Sequence, residues 1–305
     1  MKVVILAGGK GTRLGAHTGG LIPKPLVTIG GIPILVHIMS IYVDQGMRDF
    51  VVAAGYKADI LQAYVSERRQ ATTQRRVECA IADTGVETGT AGRLHHLGSL
   101  LWQTGTFLMT YGDGLADVNL RALLDHHRRM RERRGVLVTL TAAHPPARFG
   151  AIVIRDGLCS EFGEKRQDPT TWINAGFFVM EPEVLELVHS DALSLEYDIL
   201  PILAYQGRLA AYQHAGYFQM MDTPRDLAAL EEAWKQQPPP WAKWRRKNSA
   251  PSLGGTNPSS SRGLPDSSGM HSSGVSPKMG LASPLSIGTG TTPACPSSPS
   301  IPVHL

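Results

Sequence analysis

From residue 1 to about residue 235, short apolar runs alternate with segments whose apolar residues recur at helical spacing. "VVILA" is followed by "PILVHIMSIYVDQG", in which Leu35, Ile38, Met39 and Tyr42 share one face. Next come the strand "DFVVAAGY", a helix near 57–69, a strand at "VECAI", a helix around 91–103, the strand "TFLMTYGDG", a helix around 119–133 and the strand "GVLVTLTAA". This alternation predicts a largely parallel, doubly wound α/β sheet with crossover helices. Ligands of such sheets gather at the carboxyl ends of the strands. From Phe149 to Ala211 the pattern becomes mixed, with "GAIVI", "INAGFFVM" and two short helices, and predicts an α+β extension of the sheet.

A chain of 305 residues with 42% hydrophobic content can build a sizeable core. That core belongs to residues 1–247. From about Asn248 to Leu305 the chain is rich in Ser, Pro and Gly, with charge only at Arg262, Asp266 and Lys278. Such a composition buries too little apolar surface to offset chain entropy, so 248–305 reads as a disordered tail. Just ahead of it, Trp241 and Trp244 in "PPPWAKW" are placed to dock on the folded body.

No run approaches the roughly 18 to 20 apolar residues of a membrane span. Cys79, Cys159 and Cys295 are widely spaced and odd in number, which suggests neither a disulfide framework nor a zinc cluster. The expectation is a cytoplasmic protein with no membrane partner. The helix carrying Arg121, Arg128, Arg129, Arg131, Arg133 and Arg134 is strongly basic but lacks interleaved aromatics. It reads as a solvated or oligomer-facing surface, not a nucleic-acid site, and leaves room for a homo-oligomer.

Directly after the first strand comes "GGKGTRLG". Gly8, Gly9, Gly11 and Gly15 allow close backbone approach and a set of N–H groups aimed at one anion. The spacing is neither a Walker A loop, which needs a closing Gly-Lys-Ser/Thr, nor Gly-x-Gly-x-x-Gly, since Leu14 stands at the third glycine. The second strand ends "AAGY", without the acidic residue that holds a ribose, so a nicotinamide-dinucleotide site is disfavoured twice. Arg13 and Lys24 supply isolated cations near this loop, and Pro23 and Pro25 keep the backbone at Lys24 extended. A plain turn and a solvated lysine are the bland alternatives.

Asp113 follows an apolar strand between two glycines, with room for a hard cation. Magnesium is usually held by one or two carboxylates plus substrate phosphates, which calls for a second carboxylate. Asp222 is the candidate, competing with a role as helix N-cap ahead of Pro224 and Asp226. Asp117 reads as a turn or cap residue. In "VETGTAGRL", Thr88, Thr90 and Arg93 lie at a helix start whose free N–H groups suit a base edge or phosphate. The pairs His95–His96 and His126–His127 diverge on a helix and make poor metal pairs.

Taken together, "LAGGKGTRL", "PKPLV", "GTAGRL", "YGDG", "EK", "WINAGFFVME" and "MDTPRD" resemble the sugar-1-phosphate nucleotidyltransferase family, in order and spacing, over residues 1–235. "VETGTAGRL", "TYGDGLADVNL" and "RFGAIVI" are most similar to its members that use CTP and glucose 1-phosphate. The resemblance implies a Rossmann-like, glycosyltransferase-A type mixed sheet. It also implies a reaction in which a sugar 1-phosphate attacks the α-phosphorus of CTP and pyrophosphate leaves. Carried over by residue, Leu6, Ala7, Gly8, Gly9, Lys10, Gly11, Thr12 and Arg13 cradle the triphosphate, with Thr88, Arg93 and Gly112 on the nucleotide. Arg13 and Lys24 are the catalytic cations, and Asp113 and Asp222 hold Mg2+. Lys165, Asn174, Ala175 and Gly176 bind the sugar phosphate.

Two departures are visible. Arg166 stands where the family has a proline after Lys165, and the stretch from Tyr64 to Val77 is short for a glucose enzyme. Another nucleotide, another sugar 1-phosphate, or a silent nucleotide-binding subunit therefore stays open at this point. The presence of Arg13, Lys24, Asp113 and Asp222 together argues against the silent subunit.

Overall fold

The first strand, β1 (Lys2–Ala7), shows how the sheet is buried. Val3, Ile5 and Ala7 join one apolar cluster and Val4 and Leu6 another, all nearly inaccessible to solvent. Side chains of a strand alternate between faces, so a run apolar at every position has both faces covered. The computed structural model describes residues 1–14, 20–71, 77–146, 151–155, 158–163 and 171–243. Gly15, Trp244, Lys165, Arg166 and the segment 248–305 lie outside them.

After β1 come the short hairpin β2 (Thr28–Ile29) and β3 (Ile32–Pro33), helix α1 (Ile34–Val43), β4 (Asp49–Ala54), α2 (Ala58–Ala71) and β5 (Glu78–Asp83). Two short helices follow, α3 (Thr90–His96) and α4 (Gly98–Thr104), where the periodicity predicts one over 91–103. The break is at Leu97, whose φ of −92° and ψ of 5° leave the α geometry. Next are β6 (Phe107–Tyr111), β7 (Gly114–Ala116), α5 (Leu120–Arg134) and β8 (Val138–Ala143). Asn119 starts α5 by accepting from the Ala122 N–H, and Gly135 ends it in the left-handed region. The extension holds β9 (Ala151–Arg155), β10 (Leu158–Gly163), β11 (Ile173–Asn174), β12 (Phe178–Met180), α6 (Leu200–Tyr205), β13 (Leu209–His214), β14 (Phe218–Met220) and α7 (Pro224–Trp234).

The main sheet runs β11-β8-β12-β6-β1-β4-β5, with β13 also paired to β8. The β6-β1-β4-β5 half is parallel, whereas β12 is antiparallel to both β6 and β8. The predicted doubly wound sheet is therefore mixed, as the family resemblance implies. One apolar layer packs α1, α5 and α7 against the sheet around Tyr42, Phe50 and Phe177, and the other packs α3, α4 and α6 around Phe107 and Phe178. Trp241 docks as expected. It is buried beside Trp234, and its indole N–H donates to His37 Nδ1 at 3.3 Å while His37 Nε2 reaches the Ile29 carbonyl at 2.9 Å. Among the described residues no helix is long and apolar enough to cross a membrane.

Strand order reverses at β1, which has β4 on one side and β6 on the other. A crevice opens at the carboxyl ends of strands where the winding reverses. Gly8, Gly55 and Gly112 are the first residues beyond these three strands.

Candidate active site

Backbone pairing carries the two aspartates to one place. Strand β14 runs antiparallel to β7, with Met220 opposite Gly114, and the Met221 N–H donates to the Asp113 carbonyl at 2.8 Å. Asp113 leaves the end of β6 and Asp222 leaves the end of β14, so their carboxylates reach the same space. Asp222 is not the helix cap. Thr223 takes that role, accepting from the Asp226 N–H while the Asp226 carboxylate accepts from the Thr223 N–H at 2.9 Å. This capping box meets the needs of α7 and leaves the Asp222 side chain for the site.

Lys24 joins the two. Its ammonium donates to Asp113 Oδ2 at 2.7 Å and to Asp222 Oδ1 at 3.2 Å, from the tight helical turn Lys24–Leu26 that follows Pro23, where the flanking prolines predict an extended backbone. Arg13 pairs with the other Asp222 oxygen, although the Arg13 side chain itself is 75% exposed. Burial by itself would raise the pKa of Asp222, but the hydrogen bond from Arg13 and the charge of Lys24 outweigh it and hold the carboxyl below its ordinary value. Among the described residues no group of three or more His, Cys, Asp or Glu side chains stands ready to hold a metal. Two carboxylates suit a hard cation that draws its remaining oxygens from substrate phosphates.

Leu6 and Ala7 are buried at the end of β1, so they face the crevice only through backbone. Gly8, Gly9, Lys10 and Gly11 form the turn beyond, and Thr12, Arg13 and Leu14 make one tight helical turn. The Gly112 N–H donates to the Leu6 carbonyl at 2.9 Å and so fixes the entry to Asp113. Asn174, Ala175 and Gly176 lie where β11 breaks before β12, with the Gly176 N–H on Asn174 Oδ1 at 2.9 Å.

Around the loop expected to face the base the structure corrects the sequence reading. The N–H groups at the start of α3 are already engaged: Gly89 donates to the Asp191 carbonyl at 2.8 Å, and Ala91 to that of Leu193 at 3.0 Å. A Cβ on Gly89 or Gly92 would stand 2.3 or 2.2 Å from a carbonyl oxygen of this segment, so the helix start is in flush contact with it. Thr90 donates to Glu196 at 2.6 Å and is likewise engaged within the protein.

Arg93 is buried, with its guanidinium on the Ala54 carbonyl (3.0 Å), Thr84 Oγ1 (2.6 Å) and the Gly85 carbonyl (2.8 Å). It braces the end of β4 against the 83–88 loop, and a Cβ on Gly8 would collide with it at 2.0 Å. Thr88 bonds back to the Thr84 carbonyl, and Lys10 reaches across to Glu87 at 2.6 Å.

Sequence reasoning passed over Tyr111 and Glu196. The Tyr111 phenol donates to Glu196 Oε1 at 2.6 Å and accepts from Asn174 Nδ2 at 3.3 Å. The local mark is the pair of acidic residues Glu196 and Asp198 inside "LSLEYDIL", which does not say which of them turns inward. His127, by contrast, is structural, lying between Thr139 at 2.8 Å and Glu181 at 3.0 Å. Asp117 serves its turn by taking the Tyr217 N–H at 2.7 Å.

The family model described as "Nucleotidyl transferase" matches residues 2–236. The chain is 41% identical over 261 residues to the glucose-1-phosphate cytidylyltransferase of Salmonella typhimurium, covering 80% of this chain and all of the relative. It is 36% identical to the probable glucose-1-phosphate cytidylyltransferase of Bacillus subtilis, with the same coverage. Among solved structures, HddC from Yersinia pseudotuberculosis superposes with a TM-score of 0.56 at 27% identity, over 77% of this chain and 99% of that one. The match to the family model takes in every strand and helix of the crevice, and the chain belongs to the nucleotidyl transferase family.

Proposed function

We propose that this protein transfers a cytidylyl group from CTP to a sugar 1-phosphate, glucose 1-phosphate in the first place, releasing pyrophosphate and a CDP-sugar. The observation that carries the reading is the convergence of Arg13, Lys24, Asp113 and Asp222, from four separate stretches of chain, at the winding reversal of the sheet. The full-length similarity to cytidylyltransferases supports the choice of base and sugar.

A phosphate oxygen of the sugar 1-phosphate attacks the α-phosphorus of CTP, the bond to the β-phosphate oxygen breaks, and pyrophosphate leaves with those electrons. No protein nucleophile is needed, so the contribution of the chain is alignment and charge. The backbone N–H groups of residues 8–11 hold the β- and γ-phosphates, with Arg13 on the leaving pyrophosphate. Lys24 is placed to neutralise charge that builds on the α-phosphate. Asp113 and Asp222 would hold Mg2+, which when bound would supply positive charge to offset that of the phosphates. Asn174, Ala175 and Gly176 form the sugar side, together with Lys165 as the resemblance implies. Arg93 serves the nucleotide by holding the 83–88 loop in shape.

The test is pyrophosphate release from each common nucleoside triphosphate crossed with a panel of sugar 1-phosphates, with magnesium present or chelated. Release with CTP and glucose 1-phosphate, abolished by chelation, is the expected result. Release with GTP or UTP alone would overturn the cytidylyl assignment, and no release with any pair would overturn the enzyme.

A further inference from the structure

Glu196 joins the start of α3 to the end of β6. One carboxylate oxygen accepts from Thr90 Oγ1 at 2.6 Å and from Ser194 Oγ at 2.8 Å. Thr90 opens α3, beside the 83–88 loop, and its hydroxyl accepts the Leu195 N–H at 2.7 Å, so Glu196 is tied to the nucleotide side by backbone as well as side chain. The other oxygen accepts from the Tyr111 phenol at 2.6 Å. Tyr111 immediately precedes Gly112 and Asp113, and lies close enough to Asp113 to feel its charge. Tyr197, the residue after Glu196, is near enough to Arg13 to act on it in the same way.

Donor and acceptor chemistry fixes the direction of every bond in this chain. Burial by itself would raise the pKa of Glu196, but the hydrogen bonds from Thr90, Tyr111 and Ser194 hold it below the ordinary value, so the carboxylate is ionised and accepts only. The Tyr111 phenol is the donor in its 2.6 Å bond to Glu196 Oε1, because an ionised carboxylate has no proton to offer. The phenol oxygen is then left to accept, and it accepts from Asn174 Nδ2 at 3.3 Å. The Gly176 N–H on Asn174 Oδ1 at 2.9 Å fixes the same amide orientation from the opposite end. With the carbonyl end and one amide hydrogen committed, the second amide hydrogen of Asn174 has a defined direction.

We infer that Glu196 is a positioning residue which, through the Tyr111 phenol, aims the Asn174 amide at the sugar 1-phosphate. The inference rests on the sugar-side role given to Asn174 under the proposed function. It makes acceptor binding depend on a residue that touches neither substrate. A network of this kind is cooperative, and its members lose effect together when one is removed.

The experiment is steady-state kinetics on the full chain, varying CTP and glucose 1-phosphate in turn. Glu196→Ala is expected to raise the KM for glucose 1-phosphate about tenfold, the order of effect of one lost hydrogen bond to a charged network, and to leave the KM for CTP within about twofold. Tyr111→Phe keeps the ring and removes the phenol oxygen, and is expected to give the same split. The double variant should be no worse than either single one. Glu196→Gln, with the same shape but one acceptor fewer, should fall between wild type and Glu196→Ala. If Glu196→Ala does not fold, Tyr111→Phe and Glu196→Gln give the same reading. A rise of both KM values together overturns the inference, as does a lower Tm with both KM values unchanged, because either marks a merely structural role. A wild-type chain that turns over no substrate pair removes the proposed function and this inference with it; a wild-type chain that turns over, with variants that show no split, removes the inference alone.

Discussion

The ammonium of Lys24 stands 2.7 Å from a carboxylate oxygen of Asp113, its partner 89 positions along the chain, and within hydrogen-bond reach of Asp222, 198 positions along. Two carboxylates are thus compensated by two cations, Lys24 and Arg13. Removing Lys24 leaves the carboxylate pair under-compensated. Lys24→Met is expected to bind free Mn2+ at least about tenfold more tightly than wild type, since neighbouring charges interact by roughly 4 kcal/mol at an effective dielectric of 20. Turnover of the same variant should fall about 10²- to 10³-fold, the usual cost of removing one transition-state charge contact. Paramagnetic resonance titration of Mn2+ gives the first quantity and pyrophosphate release the second. Unchanged Mn2+ affinity would show that these carboxylates do not share a metal.

Thr223 stands next to Asp222 and holds it in place through the start of α7. Thr223→Ala removes one half of the capping box, which costs about 1 kcal/mol of stability. Urea unfolding measures that loss. The same variant is expected to need more magnesium for half-maximal turnover, because the residue ahead of the cap loses its fixed exit from the helix. Thr223→Ser, which can keep the cap, should restore both.

Gly8 and Arg93 exclude one another's enlargement. Gly8→Ala drives a Cβ into the buried guanidinium and is expected to cost about 1–3 kcal/mol, the range for overpacking a well-filled interior. Arg93→Ala strips the partners from Thr84 Oγ1 and the Ala54 and Gly85 carbonyls, and is expected to destabilise as well. Once Arg93 is gone the added methyl meets nothing from it, so the double variant should be more stable than the sum of the singles implies. Additive losses in urea would refute the contact.

The depressed pKa of Asp222 has a signed consequence for stability. A carboxyl whose folded pKa lies below its unfolded value stabilises the fold fully above the unfolded pKa, and that contribution disappears as pH falls through the folded one. Wild type is therefore expected to exceed Asp222→Asn in stability at pH 7, with the gap narrowing below about pH 4, where unfolded aspartate takes up protons. Urea unfolding at pH 7, 5, 4 and 3 tests it. A gap independent of pH would mean that the ion pairs with Arg13 and Lys24 contribute nothing.

What was legible in the chain is what acts within one strand, loop and helix. The apolar runs of β1 and β4, the glycines after β1 and the aspartate after β6 announce themselves, because burial on both faces and the need for a tight exit leave marks at fixed offsets. The role of Asp222 was harder to read. Asp222 and Thr223 are adjacent residues that both cap well, and only the extended backbone of Thr223, φ −126° and ψ 163°, decides between them. The free helix start at Thr90 was misread for a different reason: the carbonyls that occupy it come from Asp191 and Leu193, far along the chain. Glu196 shares that difficulty, since Tyr111 and Thr90 lie 85 and 106 positions away; Arg93 finds Thr84 and Gly85 close by, but the Ala54 carbonyl that makes it a joint is 39 positions away.

Under the proposed function, the Arg93 brace also bears on how nucleotide preference could be altered in this scaffold. The 83–88 loop cannot be exchanged as an isolated hexapeptide, because its carbonyls are held by an arginine on the following helix, and that arginine fits only beneath a glycine on the first loop and another at Gly55. A chimera that borrows the loop from a relative of different base preference must bring its own brace and the small residues above it. The unit of transplantation is a three-part cassette: loop, arginine and the two glycines.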